Sequence, residues 1–492
     1  MRNGKDRIFE AAREAAESSG VGGAGRHRKD RGGGGDRGGR GAGRCRKGRS
    51  AAAGERGRTG GPGRRSVGRR LVQGLGAALL ALFLGGCWDK VELEDIAFVT
   101  AIGFDRGERP GLLDVTLQIV NTQKATVTLG TAAEGEPRMT NITLKNTTPL
   151  MTKDLANAVI TRRINISQTQ AFLISEDLAR NVDLYSVLAM TIRDPEMRRE
   201  TPVIITQERA EDFIRKNVPR FETLIYEFYR YKLNRWKDTG IVPLSSMNDY
   251  LRAHAADQPY LFVYASARRT LPAEKGRMDD TTAGKAEIKG GDPVEMIGSA
   301  VVYRGKMIGA LTGEETRLAL LLAHKLRVAS YYMSFRDPVK PSFQVSTRIK
   351  NETPPLIRID LSRDPMEITV DVPFYVEVLS IPSKVDYVTD RSLQKKLIQS
   401  ILEQMDEKTA RLLHKAQKEW RVDLFDWARY ARQKFWTWDA WERFDFADRF
   451  PDARVRVRYR IEMIDFGKQF KPDERSRPLE DLLGRRTIRP PV

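Results

Sequence analysis

Apolar and polar positions change period along the chain, and each change marks an element. Ile96–Phe104 is apolar and β-rich. After a Gly107-Glu-Arg-Pro-Gly111 turn, Val115, Leu117 and Ile119 alternate with Thr116 and Gln118, which predicts a strand with one buried face. Thr148–Thr161 carries Leu150, Leu155, Ala158 and Val159 at helical spacing. A short strand at Ala171–Ile174, a helix at Val182–Met190, a strand at Pro202–Thr206 and a helix at Glu208–Asn217 follow. Strands separated by helices predict an α/β layer on a mixed sheet.

Polar, Gly-containing Thr270–Asp292 reads as a linker and a boundary. Beyond it, Met296–Tyr303 and Met307–Leu311 flank Arg304-Gly305-Lys306 as a hairpin. Thr312, with Glu315 three residues on, opens a helix running through Leu318, Leu321, Leu322 and Leu326. Ile368, Val370, Val372, Phe374, Val376 and Val378 then alternate along a long strand. Ser392–Trp420 is a long amphipathic helix with Leu393, Leu397, Ile401, Met405, Leu412 and Ala416 near one face. In Arg454–Met463, apolar residues alternate with Arg454, Arg456, Arg458 and Arg460, predicting one buried face and one solvated basic face. The expected fold is α/β with mixed α+β character: three unlike domains, with mixed or antiparallel sheets flanked by helices. These are an N-terminal α/β domain with linker (87–290), a small middle domain (291–345) and a C-terminal domain (346–470), followed by a flexible tail (471–492).

Charge changes the picture at the N-terminus. The formal net charge is +19, but residues 1–86 hold 20 Lys+Arg against 7 Asp+Glu, a net of +13. The other 406 residues hold 64 against 58, so the basic character belongs mainly to the leader, and nucleic acid is excluded as the expected partner. Residues 1–66 are Gly/Arg-rich and predicted to be disordered. Residues 67–86 read as a lipoprotein signal peptide: Val67-Gly-Arg-Arg supplies the basic start, and Leu75–Leu84 is too short to span a bilayer. Leu84, Gly85 and Gly86 then form a lipobox before Cys87. Diacylglycerol on the Cys87 thiol, with an N-acyl chain, would anchor the protein stably. The normal signal peptide beginning at Val67 makes a non-AUG start near that residue the expected one. Cys45 and Cys87 are the only cysteines, so no disulfide framework is expected.

No catalytic constellation is visible. His27, His254, His324 and His414 lack metal-ligand spacing, and neither a G-x-S-x-G elbow nor a P-loop occurs. The chain is therefore expected to be no enzyme, with no cofactor and no metal. Trp420, Trp427, Trp436, Trp438 and Trp441 cluster near the C-terminus, and packing of that segment onto the final sheet is favoured over a carbohydrate platform or membrane belt.

Four blocks together carry a resemblance: Cys87-Trp88-Asp89 followed by an acidic stretch and a strand ending in Gly103-Phe-Asp105; Ile192–Arg198; Gly298–Arg317, with Gly298, Gly309, Gly313 and Glu315; and Asp423–Gly467. In this the chain resembles the Ger(x)C lipoproteins, the C subunits of spore germinant receptors, from Cys87 to about Phe470. The family usually has glycine-containing sequence where Asp423–Ala428 stands, and residues 1–66 have no counterpart in it. The resemblance implies a lipid-anchored, non-catalytic subunit on the outer face of the spore inner membrane. It would work beside integral membrane subunits A and B in a receptor for small nutrients, in assembly or signalling. The rival expectation, a substrate-binding lipoprotein of a membrane transporter, predicts two similar lobes around a pocket, whereas the pattern shows unlike units and no repeat.

Overall fold

The computed structural model describes residues 92–120, 139–222, 225–268, 280–286, 288–323 and 330–467. They contain a nine-stranded and a five-stranded sheet, both mixed. The first comprises β1 (Ile96–Arg106), β2 (Leu113–Val120), β3 (Met139–Thr147), β4 (Arg163–Asn165), β5 (Ala171–Ser175), β6 (Val203–Thr206), β7 (Tyr260–Ser266), β8 (Glu295–Tyr303) and β9 (Lys306–Leu311). Its order is β3-β2-β1-β5-β6-β7-β8-β9, with β4 beside the start of β1. β1, β5, β6 and β7 run parallel, and antiparallel strands close both flanks.

Helices cover both faces of this sheet, so its central strands are apolar throughout. In β5, Phe172 and Ile174 face one core while Ala171 and Leu173 face the other. The first core also takes residues from α1 (Pro149–Val159), α2 (Glu176–Asn181), α3 (Leu184–Thr191) and α7 (Met247–Ala255). The second takes α4 (Ala210–Lys216) and α5 (Ile225–Asn234); the short α6 (Trp236–Thr239) follows. This two-sided cover corrects the reading of β2 as half-buried. Thr116 and Gln118 are buried like their apolar neighbours, and the Thr100 hydroxyl donates to the Gln118 carbonyl at 3.2 Å.

The second sheet comprises β10 (Ser330–Arg336), β11 (Gln344–Lys350), β12 (Leu356–Asp360), β13 (Glu367–Ser380) and β14 (Arg454–Asp465). β13 is central: β11 and β12 pair antiparallel with it, and β14 pairs parallel with it. Its alternation is strict in space as in sequence, with Ile368 to Val378 buried at every second residue. The long α9 (Arg391–His414) crosses between β13 and β14 and buries Leu397, Ile401, Met405 and Leu412. A π-helical turn, Lys415–Trp420, extends it. On β14 the arginines 454, 456, 458 and 460 are exposed, as the alternation requires, and Arg458 Nε lies 2.9 Å from Asp371.

β8 pairs with β7 along its length, so a cut at 290 falls between two neighbouring strands of one sheet. The helix that follows, α8 (Gly313–Leu322), packs Leu318, Leu321 and Leu322 into the core of the second sheet. The expected linker is also partly packed: Ala283 is buried, and its N–H donates to the Ile297 carbonyl at 3.0 Å. The described residues from Glu92 onward form one compact unit. Leu326 and His324, the leader, the signal peptide and the tail after Gly467 lie outside the described residues.

Helix α1 forms where expected, capped by the Thr148 hydroxyl, and its apolar row faces outward. Thr152 and Ala156 are buried, while Leu150, Leu155 and Val159 are exposed.

Candidate functional site

The motif residues fall into two clusters and a cleft. In the first cluster, Gly103 brings β1 and α4 close together: a Cβ there would meet Ile214 Cδ1 at 2.9 Å and Ala210 Cβ at 3.0 Å. Two residues on, the buried Asp105 carboxylate accepts the N–H groups of Ala210 (2.8 Å) and Glu211 (3.0 Å), the first N–H groups of α4. Burial pushes the Asp105 carboxyl above its ordinary range, against those hydrogen bonds and the Arg209 guanidinium 4.0 Å away. Arg209 also donates to Asp114 at 2.8 Å, and Asp114 accepts the Asn146 N–H at 3.0 Å. Gly-x-Asp therefore docks and caps a helix.

The second cluster joins the two sheets. Gly298 has φ +87°, and a Cβ on it would come 2.2 Å from the Leu311 carbonyl oxygen, so the β8–β9 hairpin closes only over a glycine. At Gly309 a Cβ would come 2.3 Å from the indole of Trp420. The Gly313 N–H donates to the Thr281 carbonyl at 2.9 Å. Thr312 and Glu315 form the predicted capping box, and Glu315 also receives Lys415 Nζ at 2.6 Å. Next to it, Glu314 pairs with Lys408; both side chains are almost wholly buried. Trp427 Nε1 donates to the Leu322 carbonyl at the far end of α8, at 2.9 Å.

Lys408, Lys415 and Trp420 escape a motif search because their partners are about a hundred residues away. Lys408 did leave a signal: it interrupts the apolar row Leu397, Ile401, Met405, Leu412. A lysine inside a buried stripe implies a buried carboxylate partner.

Beside this junction lies a cleft of about 460 Å³, bordered by α7 and β7 on one side and by α8 and the segment from Asp423 to Trp441 on the other. That segment contains α10 (Trp427–Arg432) and α11 (Trp438–Phe444) and leads into α12 (Phe446–Arg449). The walls mix Leu244, Leu320, Phe425 and Trp441 with Arg252, Arg429, Arg432, Asp249 and Asp426. The Arg432 guanidinium stands over the Trp438 ring, 5.3 Å from its centroid. Asp423 lies buried in the wall, accepting the Phe425 N–H at 3.0 Å and the Ala428 N–H at 2.7 Å. Burial pushes its carboxyl up to about 7. Where glycine is usual, Arg421 and Asp426 adopt left-handed φ values of 58° and 60°. The tryptophans divide. Trp427 is fully buried and Trp420 and Trp441 pack against the core, but Trp436 is 101% exposed and Trp438 is 50% exposed. Packing thus accounts for three of the five.

Among the described residues, no group of three His, Cys, Asp or Glu side chains could hold a metal, and no helix is long and apolar enough to cross a membrane. His254 stacks on Tyr185 with centroids 4.4 Å apart, and His414 lies at the surface near Glu419. Leu84, Gly85, Gly86, Cys87, Trp88 and Asp89 lie outside the described residues.

Family models match in two blocks: "Spore germination protein N-terminal domain" over residues 89–265, and "Spore germination B3/ GerAC like, C-terminal" over 297–467. Three proteins of Bacillus subtilis (strain 168) are similar. Putative spore germination protein YfkR is 22% identical over 51% of this chain and 60% of its own length. Spore germination protein KC is 29% identical over 36% and 44%, and spore germination protein A3 is 26% identical over 28% and 36%. The alignments thus span less than two thirds of each relative. A solved structure, "Crystal Structure of the GerBC protein", aligns over 76% of this chain and 99% of its own at 15% identity, with a TM-score of 0.42. The two family models together cover most of the sequence, in the order and at the places where the signature blocks stand: the chain belongs to the Ger(x)C family of spore germination proteins.

Proposed function

We propose that the chain is a non-catalytic subunit of a spore nutrient-germinant receptor, anchored through lipid on Cys87 to the outer face of the spore inner membrane. It acts in receptor assembly or signalling beside integral membrane subunits A and B. The observation that carries this reading is the use made of the signature residues. Gly309 and Glu315 are spent on joining two sheets into one body, Gly298 and Gly313 on closing the β8–β9 hairpin and fixing the start of α8, and Gly103 and Asp105 on docking a helix. A signature devoted to rigidity suits a part that holds or relays between neighbours. The lipobox before Cys87 supports the anchor. Spores of the native organism lacking this chain should keep normal yield and heat resistance but lose their response to at least one nutrient. An unchanged response to every nutrient that triggers the parent contradicts the proposal.

One observation favours a second reading, direct binding of a small molecule: the cleft offers guanidinium and carboxylate groups around an apolar wall. Calorimetry of residues 88–492 with amino acids and sugars tests it. Micromolar binding abolished by Arg429→Ala favours that reading over a purely structural role.

A further inference from the structure

Helix α1 shows an apolar face outward. Met151, Leu155 and Val159 form one row at four-residue spacing and are 51%, 42% and 68% exposed. Leu150 stands beside them, 48% exposed. The sheet register places this helix. β3 ends at Thr147, α1 returns along the sheet, and β4 begins at Arg163, which pairs with Ile96 at the start of β1. The C-terminal end of α1 and the first strand residue after Cys87 therefore share one end of the sheet. Arg162 and Arg163 lie there too, half-buried and exposed. Lys153 is turned away, paired with Asp194 and Glu196, and Asp154 is the helix's exposed acid.

We infer that this end of the first sheet is the membrane-facing surface of the protein. Val159 and Leu155 enter the headgroup–acyl boundary, and Arg162 and Arg163 meet the phosphates of anionic lipids. The inference rests on the anchoring of Cys87. Ile96 follows Cys87 by nine residues, so the connection reaches at most about 32 Å, and the sheet end nearest the bilayer is the one carrying Val159. An apolar row edged by arginines is the composition of an interfacial helix. Three apolar side chains alone would hold a free protein on a membrane weakly. A short tether makes the contact intramolecular, and the same patch then suffices to set orientation.

The test uses the full chain, lipidated, in vesicles of phosphatidylcholine and phosphatidylglycerol containing spin-labelled lipid. Cys45 and Cys87 are the only cysteines, and Cys45 lies in the leader that processing at Cys87 removes, so the lipidated parent has no free thiol. Leu155→Cys, Val159→Cys and, as the distant site, Glu108→Cys each carry one environment-sensitive fluorophore. Glu108 is exposed in the turn at the opposite end of β1. Emission at Leu155 and Val159 should shift to the blue and be quenched by the lipid, with neither change at Glu108. Quenching at Leu155 and Val159 no greater than at Glu108 overturns the inference. Protection of those sites only when membrane subunits are added also overturns it, assigning the face to a protein partner instead. Labelling of the parent itself would reveal a free Cys87 thiol and overturn the anchoring reading, whereas an unlabelled parent with unquenched probes overturns the orientation alone.

Discussion

The indole of Trp420, the last residue of the π-helical turn that extends α9, lies so close to Gly309 of β9 that no side chain fits between them. A glycine in the edge strand of one sheet and a tryptophan from the helix over the other thus form a single contact. The turn that delivers the ring ends on Arg421 in the left-handed region, with the Val422 N–H donating to the Ala416 carbonyl at 2.9 Å.

Gly309→Ala should destabilise the chain by about 1–3 kcal/mol through overpacking, measured by urea unfolding. Combined with Trp420→Leu, the same change should cost less than it does alone, because the atom it strikes has gone. Equal costs in both backgrounds would show that the contact does not join the sheets.

The Glu314–Lys408 pair predicts a strong asymmetry between single and double variants. Lys408→Met leaves a carboxylate buried without its cation and should cost about 3–5 kcal/mol. Adding Glu314→Leu should return most of that loss. The readout is the double-mutant cycle in denaturant.

Asp105→Ala removes the acceptor for the Ala210 and Glu211 N–H groups and should cost about 1–2 kcal/mol. Hydrogen exchange of residues 210–216 should accelerate more than that of β13. A uniform acceleration would show that Asp105 supports the whole fold and not this helix.

Asp423 gives a pH dependence of definite sign. Its carboxyl is raised to about 7 in the folded chain by burial, against about 4 when unfolded. Between these values the folded state holds a proton that the unfolded state has released. This group therefore makes stability fall as pH rises from about 4 to about 7, by up to about 1.4 kcal/mol per pH unit, and leaves it flat outside that window. Asp423→Asn should lower stability throughout, since its amide cannot accept both N–H groups, and should also remove the slope. Urea midpoints for both proteins between pH 4 and pH 8 provide the check.

How much was legible in the sequence depended on where each residue's partner lies. The hairpin, the Thr312–Glu315 capping box, β13 and β14 were readable because their determinants are local: a two-residue period or a three-residue reach. β2 was misread because its polar face is covered by distant α4, and alternation records polarity and not cover. The helical spacing of α1 was readable but its orientation was not: its apolar row faces outward, while Thr152 and Ala156, small enough for close packing, are buried. The polar stretch before residue 291 reads as a linker, while the strands that flank it pair with each other, which composition does not record. At the candidate site, the glycines and Glu315 were visible as motif letters. What they do depends on Trp420, Lys408 and Lys415, which only the folded chain brings together.

In the proposed function this protein serves nutrient germination from a lipid anchor at Cys87. Spores whose only copy carries Cys87→Ala test it most directly, with loss of optical density followed after nutrient addition and the amount of the chain in the spore membrane measured alongside. The altered chain should be lost from the membrane, and the nutrient response should fall toward that of spores lacking the chain. Cys87→Ala spores that germinate at the parental rate, with the chain still membrane-bound, would contradict it.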